Sequence, residues 1–174
     1  SVNASSGVCS AVVTYTAPTG TDNCAGATTA QTVGLASGAT YTVGVTTNTF
    51  QVTALNGATA TCSFTVTVVD NQAPVITCPA NTTVNATSGA CSAVVTYTAP
   101  TGTDNCAGAS TTQIAGLASG ATFPVGVTTN TFRVTALNGT TAPCSFTVTV
   151  IDNQAPTIAC PANQSISGTS AAFP

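Results

Sequence analysis

The chain has no histidine, lysine, glutamate, methionine or tryptophan, and its one cation, Arg133, stands against four anions, Asp22, Asp70, Asp104 and Asp152. A serine or threonine nucleophile would have no base beside it, and one repeat holds no paired carboxylates unless Asp70 and Asp104 converge. The sequence is therefore read as non-enzymatic. A single Arg makes no surface for phosphate backbones, which excludes nucleic acid as a partner. Without His, and without any Cys-x-x-Cys pair, the cysteines suit neither zinc nor redox catalysis. Mean hydropathy is +0.39, yet Thr, Ser or Gly cuts every apolar run well short of 18 residues, so no membrane span is expected. Ser1-Val-Asn-Ala carries neither the basic nor the apolar region of a secretion signal. Export is argued from the cysteines instead.

What the chain has is repetition. Cys9, Cys24, Cys62 and Cys78 recur as Cys91, Cys106, Cys144 and Cys160, each difference (91 − 9, 106 − 24, 144 − 62, 160 − 78) being 82. A domain of that size buries only roughly 60–65% of its unfolded surface, a small core that needs staples. Eight cysteines at repeating positions therefore read as a disulfide framework formed in an oxidising, extracellular setting. A surface of hydroxyls and amides, free of Lys, suits exposure to proteases outside the cell.

The stretch Cys62-Ser-Phe-Thr-Val-Thr-Val-Val-Asp70-Asn-Gln-Ala-Pro74-Val-Ile-Thr-Cys78-Pro79 returns almost unchanged from Cys144 to Pro161. Cys62, Phe64, Val66 and Val68 alternate with Ser63, Thr65 and Thr67, the period of a strand with one buried face. Pro74 fixes its own φ and biases Ala73 to extended conformations, which predicts a short, stiff joint to the next domain. Residues 11–16 and 93–98 read as further strands. Tyr41-Thr-Val-Gly-Val and Phe123-Pro124-Val-Gly-Val read as edge-like strands, since proline is tolerated only at an edge. Phe50, Val52 and Ala54 lead through Asn56-Gly57 into the Cys62 strand as a hairpin, repeated through Phe132, Val134, Ala136 and Asn138-Gly139. Arg133 falls on the outward side of its strand and reads as a solvated residue. Short strands with frequent turn signals and no helical periodicity predict an all-β sandwich.

Ile76-Thr-Cys78-Pro79, Cys91-Ser-Ala-Val-Val-Thr-Tyr, Thr103-Asp104-Asn105-Cys106, Phe123-Pro124-Val125-Gly126 and Cys144-Ser-Phe-Thr-Val-Thr-Val together resemble the HYR (hyalin repeat) family of immunoglobulin-like modules, over essentially the whole chain. The resemblance implies tandem immunoglobulin-like β-sandwiches in a linear array, used extracellularly for adhesion. The four-cysteine form with Ala/Thr/Val-rich filler looks like the tandem repeats of bacterial surface adhesins. Ala54-Leu-Asn-Gly57 departs from the family's commoner hairpin, and the pattern is lost after Asn163. The expected domains are 1–72, a sandwich lacking its own first strand, 73–155, a complete one, and 156–174, the first strand of a following repeat or one donated to a neighbouring subunit.

Several site expectations follow. In such a sandwich the first and last strands run side by side in one direction, so Cys78 should bond Cys144, with Cys91–Cys106 and Cys9–Cys24 as local pairs. Cys62 and Cys160 are then left for partners outside this stretch of sequence, which predicts head-to-tail neighbours of the same repeat. Asp70-Asn71-Gln-Ala-Pro74 is similar to the Asp-Asn-x-Pro joints of cadherins, and Asp70, Asn71, Asp104 and Asn105 are a candidate calcium set there. The alternative is that Asp70 and Asp104 cap turns. Sequons at Asn3, Asn81, Asn85, Asn138 and Asn163 read as chance products of a Ser/Thr-rich chain. Thr65-Val-Thr67 invites an ice-binding reading, though the wet face of any Thr-rich strand looks the same. The functional expectation is a structural repeat of a filament or stalk of a cell-surface adhesin. Its rival is a module that binds glycan or protein through loops at one end.

Overall fold

The computed structural model describes residues 1–165, 167 and 168. Its twelve strands are β1 (Val2–Asn3), β2 (Ser10–Val13), β3 (Thr28–Val33), β4 (Ala39–Thr42), β5 (Gly44–Thr53), β6 (Thr59–Val69), β7 (Thr82–Asn85), β8 (Ser92–Val94), β9 (Ser110–Ala115), β10 (Thr122–Pro124), β11 (Gly126–Thr135) and β12 (Thr141–Ile151). They form two tandem immunoglobulin-like sandwiches. In the first, the sheet β1-β6-β5-β3 faces the pair β2-β4; in the second, β7-β12-β11-β9 faces β8-β10. Among the described residues no helix is long and apolar enough to cross a membrane.

The alternating pattern decides what goes inside. Phe132 and Val134 of β11 and Phe146, Val148 and Val150 of β12 turn toward Ala93, Val95 and Phe123 from the facing pair and close the second core. The β5–β6 and β11–β12 hairpins form where Asn-Gly predicts them, with Gly57 and Gly139 at positive φ. Pro124 lies in a two-stranded sheet, where each strand is an edge. The strands read over 11–16 and 93–98 stop at Val13 and Val94. Tyr15 and Tyr97 leave the ladder because Ser37 and Ser119 satisfy their backbone: Tyr15 N–H donates to Ser37 Oγ (2.8 Å), which donates to Tyr15 C=O (2.7 Å), and Tyr97 and Ser119 repeat the exchange.

The first and last strands of each sandwich run parallel, β1 beside β6 and β7 beside β12. The two domains differ at this edge. β7 pairs over four residues, the N–H of Thr147 donates to Asn81 Oδ1 (2.9 Å), and Ile76 and Cys78 pack onto the core. The first domain keeps only Val2–Asn3 of that edge. Phe64 and Val52 are consequently half-exposed, whereas their counterparts Phe146 and Val134 are 2% and 0% exposed. Residues 156–165 are exposed and carry no strand. Residue 166 and residues 169–174 of the expected following strand lie outside the described residues.

Candidate functional site: the interdomain joint

The joint begins where β6 ends at Val69 and the chain runs extended into the second domain, so the two sandwiches meet end to end. Val75 bridges Thr103, with N–H···O distances of 2.8 and 2.9 Å, and this ties the incoming chain to the turn that carries Asp104, Asn105 and Cys106. Opposite that turn is the Gly7–Cys9 loop of the first domain. Cys9 and Cys106 are joined by a disulfide across the interface, with Cα atoms 4.8 Å apart.

Asp70 lies at the centre, 8% exposed. A buried carboxylate must be hydrogen-bonded or neutralised, and here three N–H groups do the work. Oδ1 accepts from Gln72 N–H (3.1 Å) and Asn105 Nδ2 (3.2 Å), and Oδ2 from Asn138 Nδ2 (3.0 Å). Asn105 and Asn138 belong to the second domain, so the acidic residue of the first is held by amides of its neighbour. Asn138 also donates to the carbonyls of Asp70 and Gln72, and Thr140 Oγ1 to that of Gln72. Gln72 reaches back, accepting from Gly7 N–H (2.9 Å) and donating to Ser5 C=O (3.0 Å). The Asn138 sequon therefore has its amide nitrogen committed to the joint.

Beside the joint is a cavity of about 390 Å³ walled by Val43, Val68, Ala107 and Leu137 with Asp70 and Asn138 at its edge. Its lining holds no aromatic ring on which a sugar would stack.

The expected cysteine pairs need correction. Cys78 and Cys144 are bonded, with Cα atoms 5.6 Å apart. The local pairs Cys9–Cys24 and Cys91–Cys106 do not form: Cys9 bonds Cys106, while Cys24 and Cys91 are exposed thiols, as are Cys62 and Cys160. The register explains why. Cys91 precedes β8, whose Ser92 pairs with Pro124 near the start of β11, whereas Cys106 precedes β9, whose Ser110 pairs with Thr135 at the other end. Ten residues of β11 separate the two ends by about 30 Å, and a disulfide needs Cα atoms within about 7 Å.

Of the candidate calcium set, Asp70 and Asp104 come together, their oxygens and the Cys106 sulfur lying within 4.8 Å of one another. The sulfur is spent in the disulfide, and Asn71 is exposed. Asp70 and Asp104 also cap their turns, through Gln72 N–H and Cys106 N–H (3.3 Å). Two buried oxygens, Asp104 Oδ1 and Asn105 Oδ1, have no hydrogen-bond partner. Sequence reasoning missed Gln72 and Asn138 as joint residues. Their signal was present in the recurrence of Gln72 as Gln154 and of Asn56 as Asn138.

Residues 2–68 and 69–150 each match the HYR domain. The chain is 36% identical over 157 residues to Hyalin of Strongylocentrotus purpuratus, covering 85% of this chain and 13% of that protein. Among solved structures it is similar to the extracellular cadherin domains 1–5 of protocadherin gamma B2, at 15% identity and a TM-score of 0.33, over 65% of this chain and 27% of that one. It is also similar to domains EC21–23 of human CDH23, at 14% identity and a TM-score of 0.33, over 70% and 51%. At such scores these structural likenesses carry no argument about function.

Proposed function

The chain belongs to the HYR domain family, and from that premise we propose that it is a non-enzymatic structural repeat of an extracellular filament or stalk of a cell-surface adhesin, whose work is to hold neighbouring domains at a set angle. The observation that carries this reading is the Cys9–Cys106 bond between domains. A disulfide placed there limits the bend at the joint, and the bonds from Asn105, Asn138 and Thr140 to Asp70 and Gln72 fix the remaining twist. Disulfides persist in oxidising compartments, which supports the extracellular setting. The bacterial assignment rests on the four-cysteine pattern and its filler, while the relative reported above is a sea-urchin protein. Small-angle scattering tests the stiffness: a single narrow distribution of interdomain angles supports it, and a broad one in the oxidised protein overturns it. The ligand-binding rival predicts retention on a glycan array.

Calcium at the joint is a second proposal, carried by the two partnerless oxygens. A half-turn of the Asn105 amide would aim its oxygen, with those of Asp70 and Asp104, at one hard cation. A melting temperature higher in millimolar calcium than in EDTA, with the rise abolished by Asp104→Asn, supports it. Superimposable curves would dismiss it.

A further inference from the structure

The two ends of this chain are the two halves of its own central joint, displaced by one repeat. At the forward end Asp152 Oδ1 accepts from Gln154 N–H (3.0 Å), as Asp70 does from Gln72. Gln154 accepts from Gly89 N–H (3.0 Å) and donates to Thr87 C=O (3.2 Å), as Gln72 does with Gly7 and Ser5. That half of the joint is laid down with no domain beyond it, and Cys91, the counterpart of bonded Cys9, is exposed beside it. At the opposite end Asn23, Cys24 and Asn56 occupy the positions of Asn105, Cys106 and Asn138, and all three are exposed.

The groove on the first domain says what belongs there. A cavity of about 220 Å³ opens between Gly20, Phe50, Val52, Ala60 and Cys62. Shifted by 82, these are Gly102, Phe132, Val134, Ala142 and Cys144. In the second domain that place is closed by the incoming segment, with Ile76 and Cys78 packed on the core and Cys78 bonded to Cys144. The chain's own Pro156-Thr-Ile158-Ala-Cys160-Pro161 repeats that segment and is unused, Ile158 being 90% exposed.

We propose that a second copy of this chain docks end to end on the first, laying its Pro156–Pro161 segment in this groove, and that each junction is closed by two disulfides, Cys160–Cys62 and Cys91–Cys24. Asp152 then accepts from Asn23 and Asn56 as Asp70 does from Asn105 and Asn138. Each bond forms as two thiols lose two protons and two electrons to a small disulfide such as oxidised glutathione, which is reduced to two thiols. A head-to-tail contact of this kind closes no ring and gives an open filament, and the added strand covers a bare sheet edge. The linkage does not depend on the stiffness or the adhesive role proposed above, and its test is separate.

The test incubates the purified chain in a glutathione redox buffer, followed by a non-reducing gel and peptide mapping. A ladder at multiples of 16.8 kDa, yielding Cys62–Cys160 and Cys24–Cys91 peptides, is expected. Ile158→Asp, at an exposed position that leaves each domain's core intact, should lower the fraction of linked species about tenfold by removing the side chain that fills the groove. Three results overturn the proposal: a single species with four titratable thiols, symmetric Cys62–Cys62 or Cys24–Cys24 bridges, or the proposed bonds found only within one longer polypeptide.

Discussion

Replacing Cys9 and Cys106 together by serine should unfold the first domain long before the second. The first domain contains no disulfide of its own among the described residues, since Cys24 and Cys62 are free and Cys9 bonds its neighbour. While the second domain stays folded, the bond closes a loop from Cys9 to the point where Val75 is tied down, 75 − 9 = 66 residues. The chain-entropy relation gives about 4 kcal/mol for a loop of that length. For a domain of this size, that corresponds to a fall in melting temperature of roughly 15–30 °C. The second domain keeps Cys78–Cys144, which already constrains 66 residues, so its transition should move less. Hydrogen exchange read by mass spectrometry during a thermal ramp resolves the two, because peptides from β5–β6 and β11–β12 report separate domains. If the first domain of the double variant melts within about 3 °C of the parent, the bond adds nothing to folding through chain entropy, and the argument fails.

Three further perturbations probe the packing and the joint. Asn130 is fully buried and its Oδ1 accepts from Leu117 N–H (2.7 Å) and Gln113 Nε2 (3.3 Å); Asn130→Ala leaves those donors without a partner and should lower stability by about 2 kcal/mol in urea titration. Phe146→Ala should cost about 3–5 kcal/mol, and the same change at half-exposed Phe64 clearly less, so equal losses would contradict the incomplete core of the first domain. Asn138→Asp sets a carboxylate against Asp70 Oδ2, now 3.0 Å from Asn138 Nδ2. Like charges raise the folded pKa above the unfolded value of about 3.9, so the folded state binds more protons and the variant should regain stability as pH falls from 7 toward 4. A loss that is independent of pH would refute the contact.

Much of this architecture was legible because alternation and turn chemistry are local. Phe132, Val134, Phe146 and Val148 announce their buried face by parity alone, and Asn138-Gly139 announces its hairpin. Cys78–Cys144 followed from the direction of two strands. Cys9–Cys106 did not, because its partners lie 97 residues apart in different domains and only the ladder register shows that Cys91 and Cys106 stand at opposite ends of one sandwich. Asn48 and Asn130 hid among threonines. Yet each shares the inward parity of Phe50 or Phe132, and each is 0% exposed, its Oδ1 holding the loop at Leu35 or Leu117. Asp70 read as a cap or a calcium ligand, and the amides that occupy it come from a turn 68 residues away.

The bond across the joint also sets how far the molecule can be drawn out. If every strand were pulled apart, the covalent route from Ser1 to Pro174 would not follow the sequence. It would run eight residues to Cys9, cross to Cys106, and continue 174 − 106 = 68 residues to the end. At about 3.5 Å per residue that is roughly 270 Å, against about 600 Å for the open chain. Almost the whole first domain and a third of the second are bypassed, and the tension travels through sulfur. A tether built this way yields by a short fixed step and then stops, so a load that melts both domains still leaves whatever it carries within reach.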